Sequence, residues 1–164
     1  MDAKKLLIEQ VAREFAGSRK VLAVVPSGQV EWRPHERSMT LGRLAGHIAE
    51  AAEWGVWTMS TDHLKLEALD HKPKIATNGA NAIAFLDEHE GRFLGQLRAA
   101  SDEDLSTNWK MSYNGEVYVD CPRYEALQTW VINHMIHHRG QLSVYLRLLG
   151  LPVPGVYGPS ADEG

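Results

Sequence analysis

The chain has 164 residues, 44% hydrophobic and 23% charged, which suits one domain with its own core and excludes a disordered or collagen-like chain. Seventeen Lys and Arg against 21 Asp and Glu leave a formal charge of −4, and the cations are scattered among acids, which argues against nucleic acid as a partner. The lone cysteine, Cys121, excludes an internal disulfide and a multi-cysteine zinc site and suits a reducing cytoplasm.

The N-terminal MDAKKLLIEQVAREF carries no signal-peptide apolar region. The longest apolar run, VLAVV at 21–25, is too short to span a bilayer, so the chain is expected to be cytoplasmic and free of the membrane. Leu6, Leu7, Val11 and Phe15 recur at helical spacing and predict a first helix stopping at Gly17-Ser18, or extended by VLAVV. After a loop with Pro26, Gly28 and Pro34, Ser38 or Thr40 caps a second helix through Leu41, Leu44, Ile48, Ala51 and Trp54 to about Leu64. Residues 70–74 read as a turn, and Asn78 caps a third helix running to about Ala100 and closed by Ser101-Asp102-Glu103-Asp104. Between Trp109 and Val119 the period becomes two around Asn114-Gly115, the signature of a small β-hairpin. Pro122 then opens a fourth helix that ends at Gly150-Leu151-Pro152. Residues 1–150 thus form a single all-α domain, a four-helix bundle with a hairpin inserted before the last helix. Residues 151–164 form a Pro/Gly-rich tail that lies on the surface or hangs free.

Eight histidines stand out in a chain with no charge-based reason to carry them. On the fourth helix Leu127, Val131, His134, His138, Tyr145 and Leu149 form a core-facing seam that contains two of them. Residues four apart present Cβ atoms about 5 to 6 Å from each other, the arrangement by which one helix offers two imidazoles to one metal ion. His137 competes with His138, being three from His134 but off the centre of the stripe. His47, between Leu44 and Ala51, faces inward from the second helix. An isolated inward histidine is more often a hydrogen-bonded core residue, but shared coordination satisfies three at once. His35, His63, His71 and His89 read as ordinary solvated residues, and Cys121 as inert packing. No HExxH, Ser-His-Asp order or phosphate-binding glycine loop is present.

WRPHERSMTLGRLAGHIAEAAEW around His47, INHMIHHRGQLSVYLRLLGLPVP around His134 and His138, and the closing VYGPSADE resemble the DinB family of the DinB/YfiT-like metalloenzymes, over nearly the whole chain. The resemblance implies an up-down-down-up bundle, a homodimer, and a divalent-metal site whose ligands match His47, His134 and His138. Characterised relatives in the wider superfamily are transferases that use low-molecular-weight thiols.

Three imidazoles leave a divalent ion, zinc or nickel, with an open position, the layout of a catalytic site. The first expectation is S-transfer from a small-molecule thiol to an electrophile in detoxification or stress response. Metal-dependent hydrolysis through activated water comes second, and a non-catalytic metal-binding stress or interaction protein third. Trp54 and Trp130 lie on the ligand-bearing faces; core packing is their commoner role and a pocket wall the alternative. Glu50, Gln141 and Tyr145 lie within a turn or two of the histidines and are able to orient them, although Glu50 reads first as a solvated helix residue. The residues name no general base.

Overall fold

A computed structural model describes residues 2–163; positions 1 and 164, included above in the domain and the tail, lie outside the described residues. Helix α1 spans Ala3–Leu22, capped by the Asp2 carboxylate on the Lys5 amide. It runs through Gly17-Ser18 because that pair is a contact and not a stop: a Cβ on Gly17 would lie 3.0 Å from the Arg139 guanidinium and 2.7 Å from Val156. Thr40 caps α2 (Leu41–Ala49), which continues through Glu50 into α3 (Ala51–Ser60). The second helix therefore ends four residues short of Leu64, which instead lies in a short strand, β1 (His63–Lys65). Asn78 caps α4 (Gly79–Ala99), and Ser101 begins a separate short helix, α5 (Asp102–Ser106), through a reciprocal capping box with Asp104.

Strands β2 (Asn108–Tyr113) and β3 (Glu116–Pro122) pair antiparallel across Asn114-Gly115. Both turn residues have positive φ, 49° and 86°, as a tight two-residue hairpin requires. β1 joins β2 in parallel and completes a three-stranded sheet in the order β1-β2-β3. A three-residue strand carries no readable period, and its partner lies more than forty positions away, which is why the sequence does not announce it.

The last helical stretch is not uniform. It opens with α6 (Arg123–Ala126), widens into π-helical turns over Leu127–Asn133, and resumes as α7 (His134–Leu148). At the junction the His134 amide reaches back five residues to Thr129 O.

Long-range contacts give the helix directions. Lys4 Nζ reaches Ala100 O, while Arg19 pairs with Asp87 and Glu90, so α1 and α4 run antiparallel. Tyr145 meets Met39 O and Arg123 meets Thr58 O, so α2–α3 runs antiparallel to α6–α7. Gly55 lies under the Phe93 ring, where a Cβ would approach to 2.6 Å, bringing α3 and α4 into close contact. The main core gathers Leu7, Phe15, Leu44, Ile48, Leu86 and Leu127, each 1% exposed or less. Truncating one such leucine to alanine costs about 2–5 kcal/mol. A second, smaller core under the sheet contains Leu64, Trp109, Met111 and Val119, and Trp54 packs against both.

The tail is tied down. Asp162 pairs with Arg147 and accepts from the Val153 amide, and the Tyr157 hydroxyl meets Glu14 and Arg139, a buried ion pair, at 2.5 Å each. No helix among the described residues is long and apolar enough to cross a membrane.

Candidate metal centre and its cavity

α2 and α7 face each other, and the inward positions where both lack an apolar side chain bring three imidazoles together. One ring nitrogen from each of His47, His134 and His138 lies within 4.8 Å of the other two. His47 Nε2 is 2.9 Å from His134 Nε2, and the His138 ring centroid is 4.5 Å from each of the other two. His137 is exposed, its Nε2 3.0 Å from Gln141 Nε2, and takes no part in the cluster.

The partners behind the rings fix their orientation. His47 Nδ1 lies 2.9 Å from Glu50 Oε2, and His138 Nδ1 lies 2.8 Å from Gln141 Oε1. With those protons donated outward, the Nε2 lone pairs of His47 and His138 are left for the cluster. Burial, followed by the neighbouring His138, His47 and His137, lowers the His134 pKa to about 4. Burial is also the largest cause that lowers His138. His134 and His138 are therefore neutral at physiological pH, the state in which imidazoles ligate. Three imidazole donors, two of them backed by oxygen acceptors, fit a divalent transition ion.

Glu50 corrects the sequence expectation. It is 1% exposed, not solvated, because the 74–76 segment covers it. A Cβ on Gly46 would meet Lys74 O at 2.1 Å and one on Gly42 would meet Ala76 O at 2.5 Å. These two glycines, one turn apart, let the segment lie directly on α2, where the Lys74 amide donates to Glu50 Oε1 at 2.6 Å. Arg43 adds bonds of 3.0 and 3.3 Å to the same carboxylate. Burial alone would raise the Glu50 pKa, but bonds from His47, Lys74 and Arg43 outweigh it and hold the group ionised below its ordinary value. Arg43 was missed in the sequence, although Arg43, His47 and Glu50 fall on one helix face at steps of four and three.

Two more expectations change. Tyr145 does not turn to the imidazoles: its hydroxyl meets Met39 O at 3.3 Å and its ring meets Trp32 edge-on at 5.5 Å. His71 and His89 are half-buried and not freely solvated, each within 3.8 Å of a Glu53 oxygen. His35 and His63 are exposed, and His63 Nε2 lies 2.8 Å from Ser112 Oγ. Burial, then Glu125 and Asp120, raise the Cys121 pKa, which keeps the thiol protonated and unreactive.

Beside the triad a cavity of about 170 Å³ opens between α3, the π-helical segment and the sheet. His47 and His134 form one wall; Trp54, Trp109 and Trp130 form the others. Trp54 and Trp130 thus do line a pocket, Trp130 with 42% of its surface exposed. Trp109, from the strand that alternates inward, was not anticipated there.

The DinB family model matches residues 1–164. The chain belongs to the DinB family. The uncharacterized protein YrdA of Bacillus subtilis is 27% identical over 151 residues, covering 92% of this chain and 85% of YrdA. A DinB-like protein from Bacillus cereus superposes with a TM-score of 0.72 at 27% identity, covering 92% of this DinB chain and 95% of that one. YfiT from Bacillus subtilis, a probable metal-dependent hydrolase with an unusual four-helix bundle topology, superposes at 0.67 with 16% identity, covering 93% of this chain and 90% of YfiT. At that identity YfiT supports the shared bundle and nothing finer.

Proposed function

We propose that this DinB protein is a divalent-metal-dependent enzyme that transfers a small-molecule thiol to an electrophile, with zinc or nickel held by His47, His134 and His138. The observation that carries this reading is the shared wall: His47 and His134 belong both to the donor cluster and to the cavity lining. A bound ion would supply Lewis acidity, lowering the pKa of a thiol or water that reaches it.

The chain's own groups do the remaining work. Glu50 accepts a hydrogen bond from His47 Nδ1–H and Gln141 Oε1 one from His138 Nδ1–H, which sets the tautomer of both rings. Arg43 and Lys74 keep Glu50 fixed behind His47, so it is not available as a base on the cavity side. No carboxylate lines the cavity among the described residues, which favours a nucleophile that needs no separate base. The indoles exclude water from the electrophile's apolar part.

Hydrolysis is the second reading, favoured by the description of YfiT as a probable metal-dependent hydrolase. The up-down-down-up order belongs to the same proposal and is supported by the α1–α4 and α2–α7 contacts. A homodimer is supported by Val144 and Leu148, one turn apart on α7 and both more than half exposed; sedimentation equilibrium tests it.

The deciding experiment is elemental mass spectrometry on untagged protein beside a His134→Ala, His138→Ala double variant. About one ion per chain, lost in a variant that stays helical, supports the metal reading; no ion in either, even after added zinc or nickel, overturns it. Thiol added to cobalt-substituted protein should shift the visible spectrum. Turnover without any thiol would transfer the assignment to the hydrolase reading.

A further inference from the structure

The cavity beside the triad has dimensions and chemistry that select an occupant. Its volume of about 170 Å³ is close to that of an engineered apolar cavity of about 150 Å³ that takes up benzene. Its walls come from three indoles, Met111, Met135 and Val131, with Ala51 as the smallest side chain on the α3 side. Two polar groups of that lining are already engaged. Thr58 Oγ1 donates to Trp54 O at 2.9 Å, and Trp109 Nε1 donates to Thr61 Oγ1 at 3.1 Å. Among the described residues no Asp, Glu, Lys or Arg contributes to the lining, so a charged group would be desolvated there without a counter-charge from a side chain. Polarity is concentrated at one end, where His47 and His134 stand.

We propose that the cavity is the specificity pocket of this enzyme and seats one uncharged aromatic ring, with the substrate's polar, reacting end directed at the imidazoles. The inference deepens the function proposed above and rests on it for the word substrate; the binding of the ring does not require the metal. Indole walls offer edges and faces to a flat ring, and the volume matches that of a cavity that takes up one benzene ring. Ala51 sets the depth, because any larger side chain at that position projects into the space the ring would fill. Trp130, 42% exposed, forms the solvent-facing part of the wall.

Fluorobenzene titrated into the full chain and followed by fluorine NMR tests this, with 4-fluorobenzoate as the charged probe and 1-fluoronaphthalene as the two-ring probe. On chelator-treated protein, where no ion can capture the carboxylate, fluorobenzene is expected to bind saturably, with the other two at least tenfold weaker. Ala51→Leu, which fills the pocket, and Trp130→Ala, which removes a wall without disturbing a buried position, should each weaken fluorobenzene at least tenfold and several-fold respectively. Circular dichroism and metal content confirm that each variant is folded. Absence of saturable binding, equal affinity for the benzoate, or undiminished binding in both variants overturns the proposal. The titration is run on chelator-treated and zinc-loaded protein. Ring binding without metal uptake would leave the pocket standing and remove the metalloenzyme reading; metal uptake without ring binding would do the reverse.

Discussion

Glu50 Oε2 lies 2.9 Å from His47 Nδ1, which makes a buried carboxylate the orienting partner of one candidate ligand. Glu50 accepts from His47, Arg43 and the Lys74 amide together, and a glutamine has a single acceptor oxygen to offer all three. Glu50→Gln should therefore weaken zinc binding by about 10- to 100-fold, the usual effect of losing such a partner, measured by competition with a chromophoric chelator. Unchanged affinity would show that His47 is oriented without it.

Chelation should leave the protein folded. The main core is apolar and complete without an ion, and the 2.9 Å contact between His47 Nε2 and His134 Nε2 is a hydrogen bond the two rings make with each other. Far-ultraviolet circular dichroism should stay helical after chelator treatment. Added zinc should raise Tm with concentration, by about 2.7 kcal/mol of stability at one hundred times Kd. Collapse of the helices on chelation would identify the ion as structural.

The seam of His134 and His138 was legible because two polar residues interrupt an otherwise apolar helical stripe, and His47 because it lies among Leu44, Ile48 and Ala51. Burial of Glu50 was not legible. A glutamate on a helix looks solvated until the segment that covers it is known, and that segment is held by Gly42 and Gly46, which read in sequence only as small residues. The π-helical turns were hidden for a different reason: widening a helix by one residue leaves Leu127 and Val131 in an apolar stripe, so the pattern still reads as α. Trp109 was correctly placed on an alternating strand, but alternation does not tell which helix the strand will cover.

Gly46→Ala tests the covering segment. The new Cβ would stand 2.1 Å from Lys74 O, a backbone atom unable to swing aside. Overpacking of this kind costs about 1–3 kcal/mol, read by urea denaturation, and zinc affinity should fall with it because the Lys74 amide moves away from Glu50.

Arg139 and Glu14 are 2% and 3% exposed and bonded at 2.7 Å. Arg139→Met leaves the buried Glu14 carboxylate with only the exposed Arg13 at 3.7 Å and should cost about 3–5 kcal/mol. Tyr157→Phe removes only a hydroxyl from the same group and should cost about 1 kcal/mol. Equal losses in the two variants would show that the tail, not the ion pair, carries the stability.

The tail should release in acid. Arg147, followed by the Val153 amide, holds the Asp162 pKa at about 2, below its ordinary 3.8. A carboxyl whose pKa is depressed on docking favours the docked form fully above its free value and loses that preference as pH falls toward the docked one. Tail protection against proteolysis should thus be complete at pH 5 and above and decline from about pH 4 toward pH 2. Asp162→Asn should release the tail at neutral pH; a protected tail in that variant would refute the assignment.

Trp54 belongs to both hydrophobic cores, so the cavity straddles a boundary between two separately packed units. The candidate ligands and their supports stand on the helices of one unit, while Trp109 and Met111 reach the cavity from a strand of the other. Trp109 and Met111 share that cavity with His47 and His134, so substitutions on the strand side should couple to changes at the triad and not simply add. A directed-evolution library confined to β2 would therefore reshape one wall of the cavity while leaving the three imidazoles, Glu50 and Gln141 on their helices unchanged.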